Sequence, residues 1–464
     1  MRKGMTAVRG RAARPPQRRK GIGQGLHLMI WVAVFSAFYL LRDVAGLGVP
    51  EIVFTGICGM AFLFLDPGAS LGMYIFTTAL TVPHNEIRIV YMALICLKLF
   101  RVGRLRLRAG MLMLMLGCML LQLVNSCLFS DLGVSDLAYD YVTRMLIFLL
   151  PLVWYSVNAS PGQYRRAVLC YLWGVMLGGT VALILTSRTE GFIKLLTGSR
   201  FARLGHVSDA VATGMRTAYN ANQLGSMLAI AIAILLAYMD RGYLPRMLSF
   251  AAIGYALILL MMTKSRTGLL TAIGVFVMYY WVAVIRKGRI RQGLLIFAAM
   301  VLTVLLVVTL IPEVVTAVTN RFINQTDITN GRTDLMVMYL REWVGNAWSF
   351  LFGYGIGSYQ GVVNFGAGLV PHNIITDTLI CWGLVGLVLV GWILWMMYRR
   401  NRPVIRRADV VLAYLPAIAA LVVTMAGQYL TTGYPHMRLC FLLLAARGFA
   451  GAAPVQASRA PEVA

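Results

Sequence analysis

Asn330-Gly331-Arg332-Thr333-Asp334, Gly353-Tyr354-Gly355-Ile356-Gly357 and Pro371-His372-Asn373 stand in that order along one stretch of the chain. Nine residues separate Asn373 from Gly383-Leu384-Val385-Gly386. The stretch interrupts a series of long apolar runs. It brings an arginine, three spaced glycines and a histidine into a polar segment that ends where the next apolar run begins, at Ile374. A histidine at such a junction sits at an interface, where its protonation is free to change near neutral pH.

The surrounding composition decides the fold class. Of 464 residues, 59% are hydrophobic and only 13% are charged. A soluble domain has too little interior to hide that much apolar surface, so the sequence predicts an all-α polytopic membrane protein. The first twenty residues hold eight Lys/Arg and no acid, and no small-residue cleavage site closes the first apolar run. They read as a basic tail that orients the first helix rather than a cleavable leader.

Fourteen apolar runs are long enough to propose as spans: 26–41, 49–65, 69–83, 87–100, 110–129, 142–157, 167–186, 220–238, 247–263, 267–285, 293–311, 374–398, 410–430 and 439–450. The early ones are short, and if two are re-entrant the count is twelve. The domain reading is a cytoplasmic tail at 1–25, a transmembrane domain at 26–450 with outside loops at 187–219 and 312–373, and a cytoplasmic tail at 451–464. With this topology 28 of the 42 Lys/Arg face the cytoplasm, while the acids fall mostly outside. The net charge of +25 is therefore topogenic and leaves little for a nucleic-acid partner. The cysteines sit mostly in apolar runs without metal-ligand spacing and read as packing residues.

Two places run against the topogenic trend. The loop at 187–219 carries Arg188, Lys194, Arg200, Arg203, His206 and Arg216 against only Glu190 and Asp209. It is either a basic loop drawn to membrane lipid headgroups, with Phe192, Ile193, Leu195 and Leu196 on a surface helix, or a cradle for a polyanionic substrate. Lys264-Ser265-Arg266-Thr267-Gly268 places two cations between apolar runs, at a hairpin tip or in a wet cavity, because hydrocarbon burial of a lone cation is costly. In the larger loop, Leu335, Met338, Tyr339 and Trp343 recur at helical spacing after Arg332. Gly353, Gly355 and Gly357 lie in no βαβ unit and are not a dinucleotide fingerprint. They permit tight backbone, with N–H groups available to an anion. A second Pro-His-Asn at 83–85 has no matching GxxG and reads as an interfacial turn.

The ordered set of Gly331-Arg332, Gly-x-Gly-x-Gly, Pro-His-Asn and GxxG resembles the O-antigen ligase family and its polymerase relatives. The likeness covers roughly residues 180–400. Ser265-Arg266 resembles the family's Ser-Arg-Gly turn, with Thr267 inserted before Gly268, and Asn220 and Asn222 resemble its Asn-rich entry to a span. The resemblance implies a GT-C-like membrane glycosyltransferase of about 12–14 helices in the bacterial inner membrane, its active site facing the periplasm. It implies Arg266, Arg332 and His372 as the catalytic cluster. Arg203, Arg216, Asn222 and Asn373 follow as secondary contacts to the substrate diphosphate, with Gly353, Gly355, Gly357, Gly383 and Gly386 as structural motif.

The implied donor is a glycan on an undecaprenyl diphosphate carrier. The acceptor is lipid A–core for a ligase, or a growing glycan for a polymerase. Such a reaction inverts at the anomeric carbon. With no P-loop, HExxH or Asp-x-Asp pair in the sequence, it is expected to need neither cofactor nor metal, leaving arginine forks to neutralise the departing diphosphate. His372 then takes the acceptor's proton or donates to phosphate. A bicarbonate-type or other transporter is the reading from another class, but the usual mid-membrane charges in paired repeats are missing from the pattern.

Overall fold

The computed structural model describes residues 23–80, 82, 85–101, 109–129, 161–197, 203–205, 220–286, 332–355, 373–405 and 411–425, with scattered positions between 288 and 309. Among these residues there is no strand. The first half holds α1 (Gln24–Asp43), α2 (Glu51–Phe64), α3 (Pro67–Leu80), α4 (Asn85–Arg101), α5 (Ala109–Phe129), α6 (Pro161–Glu190) and the short α7 (Phe192–Thr197). Next come α8 (Ala221–Asp240), α9 (Arg246–Thr263) and α10 (Arg266–Tyr280), the last extended by a π-turn, Trp281–Arg286. Two helices of the large loop follow, α11 (Arg332–Trp343) and α12 (Ala347–Phe352). Then come α13 (Ile374–Ile405) and α14 (Leu415–Met425), the latter entered through a 3₁₀ turn at Val411–Tyr414.

Short polar side chains set where these helices start, by accepting backbone N–H groups that the first turn leaves unpaired. Asp66 accepts from Ala69 N–H (2.7 Å) ahead of α3, whose first residue is Pro67. Asn220 accepts from Asn222 N–H (2.9 Å), Ser265 from Gly268 N–H (3.2 Å) and Asn346 from Ser349 N–H (2.7 Å). Asn373 accepts from both Ile375 N–H (2.9 Å) and Thr376 N–H (3.2 Å).

Six of the described helices are long and apolar enough to cross a membrane, and the protein is a multi-pass, all-α membrane protein. Several early elements are shorter. α3 has 14 residues, about 21 Å of helix against a hydrocarbon core of about 30 Å. All of its side chains from Gly68 to Leu80 are buried, so it is an interior helix with no lipid face. It packs against α1, α2, α4 and above all α6, where a Cβ on Gly174 would lie 2.8 Å from Ala79 Cβ. The described residues omit the proposed spans at 142–157 and 439–450, His84, and nearly all of both tails.

α8 is the core of the second half. Every side chain from Gln223 to Met239 is buried, and small residues (Gly225, Ser226, Ala229, Ala233) let α6, α9, α10 and α14 approach closely. α14 also packs on α13, which in turn meets α5, α11 and α12. The basic stretch after 187 begins differently from the loop expected there. α6 continues through Arg188 to Glu190, and Gly191 at φ +80° turns the chain into α7, which leaves Ile193 74% exposed.

Candidate functional site

Two groups of predicted site residues are visible, one at the α8–α9–α10 end and one on α11–α13. At the first, α9 stops at Thr263 and Lys264 adopts a left-handed conformation (φ 51°, ψ 28°), the only non-glycine to do so among the described residues. For an L-residue this costs roughly 1–2 kcal/mol, which tight packing around the turn must offset. That packing is present. A Cβ on Gly225 would sit 2.5 Å from Ser265 Cβ, and one on Gly268 would sit 2.7 Å from the Gly225 carbonyl carbon and oxygen. The Ser265–Gly268 turn therefore lies backbone-close on the first turns of α8, which also hold Asn222.

Arg266 is the first residue of α10 and is partly exposed. Leu204 N–H donates to Met262 O (2.9 Å), fastening residues 203–205 onto the end of α9. Arg203, Asn222, Lys264 and Arg266 are thus gathered at one end of three packed helices, though their sequence positions span more than sixty residues. Lys264 was not among the predicted site residues. Its signal was adjacency to Arg266 at a hairpin tip, and the backbone geometry makes it part of the same cationic corner.

The second group is organised by glycine. Gly383 (φ 63°, ψ −168°) breaks α13 ten residues after its cap, so the predicted span at 374–398 is two helical pieces joined at a kink. The break coincides with the glycine turn after α12. Tyr354 N–H donates to Ile380 O (2.8 Å) and Gly355 N–H to Cys381 O (2.9 Å). A Cβ on Gly353 would lie 2.4 Å from Cys381 C and Trp382 N, and one on Gly383 would lie 2.4 Å from Leu351 C and O. The Gly-x-Gly and GxxG motifs interlock backbone to backbone, which is why neither first glycine has room for a side chain. The N–H groups of Tyr354 and Gly355, expected to be open to an anion, are spent on α13. Gly386 meets the Trp382 side chain, with its would-be Cβ 2.2 Å from Trp382 Cβ.

Arg332 opens α11, with Asp334 in the same turn. This helix docks on α13 through Tyr339, which is 1% exposed. Burial pushes the Tyr339 phenol up to about 12, and the neighbouring Cys381 and Asp377 add to the shift. Asn373 is fully engaged in structure: besides capping α13, its Nδ2 donates to Met425 O (2.9 Å) at the end of α14. His372, Arg216 and Gly357 lie outside the described residues. Among the described residues no three His, Cys, Asp or Glu side chains gather as a metal ion would require.

Two residues of this region were missed in the sequence. Gln122 Nε2 donates to Cys381 O (3.0 Å) and Asn125 Nδ2 donates to Phe352 O, while Asn125 Oδ1 accepts from Trp348 Nε1 (3.3 Å). Both amides are completely buried. The available signal was an amide pair three residues apart inside the apolar run of α5, which calls for internal partners.

Residues 251–391 match the family model described as O-antigen ligase. This segment is of the O-antigen ligase family. It starts within α9 and ends within α13, so it contains the Lys264–Gly268 turn, α11, α12 and both glycine motifs. The match covers less than a third of the chain. No curated protein matches the chain. The α5 amides and the α8 scaffold lie outside the O-antigen ligase segment.

Proposed function

We propose that this O-antigen ligase-family protein transfers a glycan from an undecaprenyl diphosphate carrier to an acceptor hydroxyl on lipid A–core, at the periplasmic face of the inner membrane. The observation that carries this reading is the cationic corner of Arg203, Lys264 and Arg266, part of it inside the family-matched segment. In the reaction, the acceptor oxygen attacks the anomeric carbon on the face opposite the diphosphate, so configuration inverts. The carbon–oxygen bond to phosphate breaks, and its electron pair leaves on the diphosphate. Arg266 and Arg332 receive that charge through paired N–H donors, a contribution of roughly 10²–10³ in rate per donor group. His372 accepts the hydroxyl proton, or donates a hydrogen bond to phosphate while the hydroxyl proton passes to the departing diphosphate, and no metal ion takes part.

The glycolipid profile of a deletion strain tests the assignment. Free lipid A–core together with finished polymer left on the carrier indicates the ligase. Single repeat units on lipid A–core indicate the polymerase instead, and an unchanged profile excludes both.

A further inference from the structure

Ala347–Gly355 is not a segment that floats above the membrane. Its glycine turn bonds to the carbonyls of Ile380 and Cys381, and Cys381 lies seven residues past Ile374, about 10 Å down the helix axis. α12 thus reaches in between α5 and α13, both apolar helices. At that depth an irregular backbone persists only where protein groups satisfy it. The break at Gly383 strips α13 carbonyls of their usual i+4 donors. Ile380 O is taken by Tyr354 N–H, and Cys381 O by Gly355 N–H and Gln122 Nε2 together. On the other side, Asn125 holds Phe352 O at the end of α12 and accepts from Trp348 in the same short helix. Phe129, one turn further along α5, packs edge-on against Tyr354 (5.5 Å between ring centroids).

We infer that Gln122 and Asn125 are positioning residues of the transfer site, acting through this junction. The inference rests on the proposed glycan transfer. The junction joins the two chain segments that bear the chemistry: α11–α12, which begins at Arg332, and α13, whose cap Asn373 follows His372. α5 is the third body of the junction and the only one outside the family-matched segment. Removing its two amide donors leaves Cys381 O with one partner fewer and Phe352 O without its α5 partner. α12 and the upper piece of α13 are then free to slide past each other, and Arg332 shifts relative to the start of α13 at Asn373. Misplacement of about 1 Å at a reacting centre costs up to roughly a hundredfold in rate.

The test uses the full chain in lipid nanodiscs with a polyprenyl diphosphate-linked glycan and a rough lipopolysaccharide acceptor. Gln122→Met and Asn125→Leu keep volume and remove the donors, and Leu123→Ala on the exposed side of α5 is the control. Each donor variant is expected to lower kcat by about ten- to a hundredfold with donor KM within about threefold of wild type. Amide exchange at Tyr354 and Gly355 should accelerate in the same variants and stay slow in wild type. Unchanged kcat per folded molecule in both variants overturns the inference, leaving the amides purely structural. So does wild-type exchange at Tyr354 and Gly355 as fast as in a free chain, a result that stands even if the variants do not fold. Absence of transfer by wild type, with those amides protected, counts against the proposed activity and not against the junction.

Discussion

Gly353 and Gly383 cross each other backbone to backbone, each with a positive φ and each facing the other's neighbouring peptide at 2.4 Å from where a Cβ would be. One lies in the turn after α12 and the other at the break in α13. The contact explains two motifs at once, because each glycine is required by the backbone opposite it.

Alanine at either position should therefore be severe. The facing neighbours are peptide atoms that cannot swing aside, and φ near +70° adds its own strain. Gly353→Ala and Gly383→Ala are each expected to lose several kcal/mol of stability, on the order of 3 or more, seen as a large drop in thermal midpoint or in folded yield. Gly254→Ala in α9 has nothing within 4 Å and should be neutral or slightly stabilising. Equal behaviour of all three would contradict the interlocked geometry.

A gentler change probes the cationic corner. Ser265→Ala removes the acceptor for Gly268 N–H and should cost about 1 kcal/mol of stability, as cap losses do. Because the turn carries both Lys264 and Arg266, activity should fall more than the stability loss explains. A thermal shift paired with a transfer assay on the same preparation decides this.

Tyr339 gives the protein a pH dependence at the alkaline end. Its phenol is held neutral in the folded state, with the value raised from 10.0 to about 12 by burial and by Asp377 and Cys381. Stability from this group is complete below pH 10 and is lost as pH rises from 10 toward 12, since the unfolded chain ionises first. Tyr339→Phe should flatten that part of the stability profile. A profile unchanged by the substitution would place the loss elsewhere.

Much of the architecture was legible in the sequence. Apolar runs marked the described spans from α1 onward, and Asn220, Ser265 and Asn373 sit where apolar runs were read to begin. The helical spacing of Leu335, Met338, Tyr339 and Trp343 found α11, and the ordered motifs found the family. The break at Gly383 was hidden because a lone glycine inside an apolar run is tolerated in a straight helix as well. Its consequence depends on Gly353, thirty residues away, and such pairings leave no local periodicity. The amide pair Gln122 and Asn125 stood out in its apolar run, but its partners were hidden for the same reason: they are carbonyls, which every residue carries. The interior position of α3 also escaped, since apolar composition does not separate burial in protein from burial in lipid.

Orientation remains a separate prediction. Single-cysteine accessibility should place Ser199 and Asn330 outside and Arg104, Lys287 and Arg402 in the cytoplasm, following the charge asymmetry. Finding Asn330 in the cytoplasm would put Arg332 on the wrong side for a donor presented outside.

The most direct measurement of the proposed chemistry is glycan transfer by position-332 and position-372 variants in a strain lacking the native protein. Arg332→Lys keeps the charge and loses the planar fork, so it should fail nearly as badly as Arg332→Ala, each by roughly 10²-fold or more. Arg341→Ala, exposed on the same helix, should be mild. His372→Ala should abolish transfer while the protein accumulates in the membrane at normal levels. Wild-type transfer by both Arg332→Ala and His372→Ala would contradict the assignment of this site.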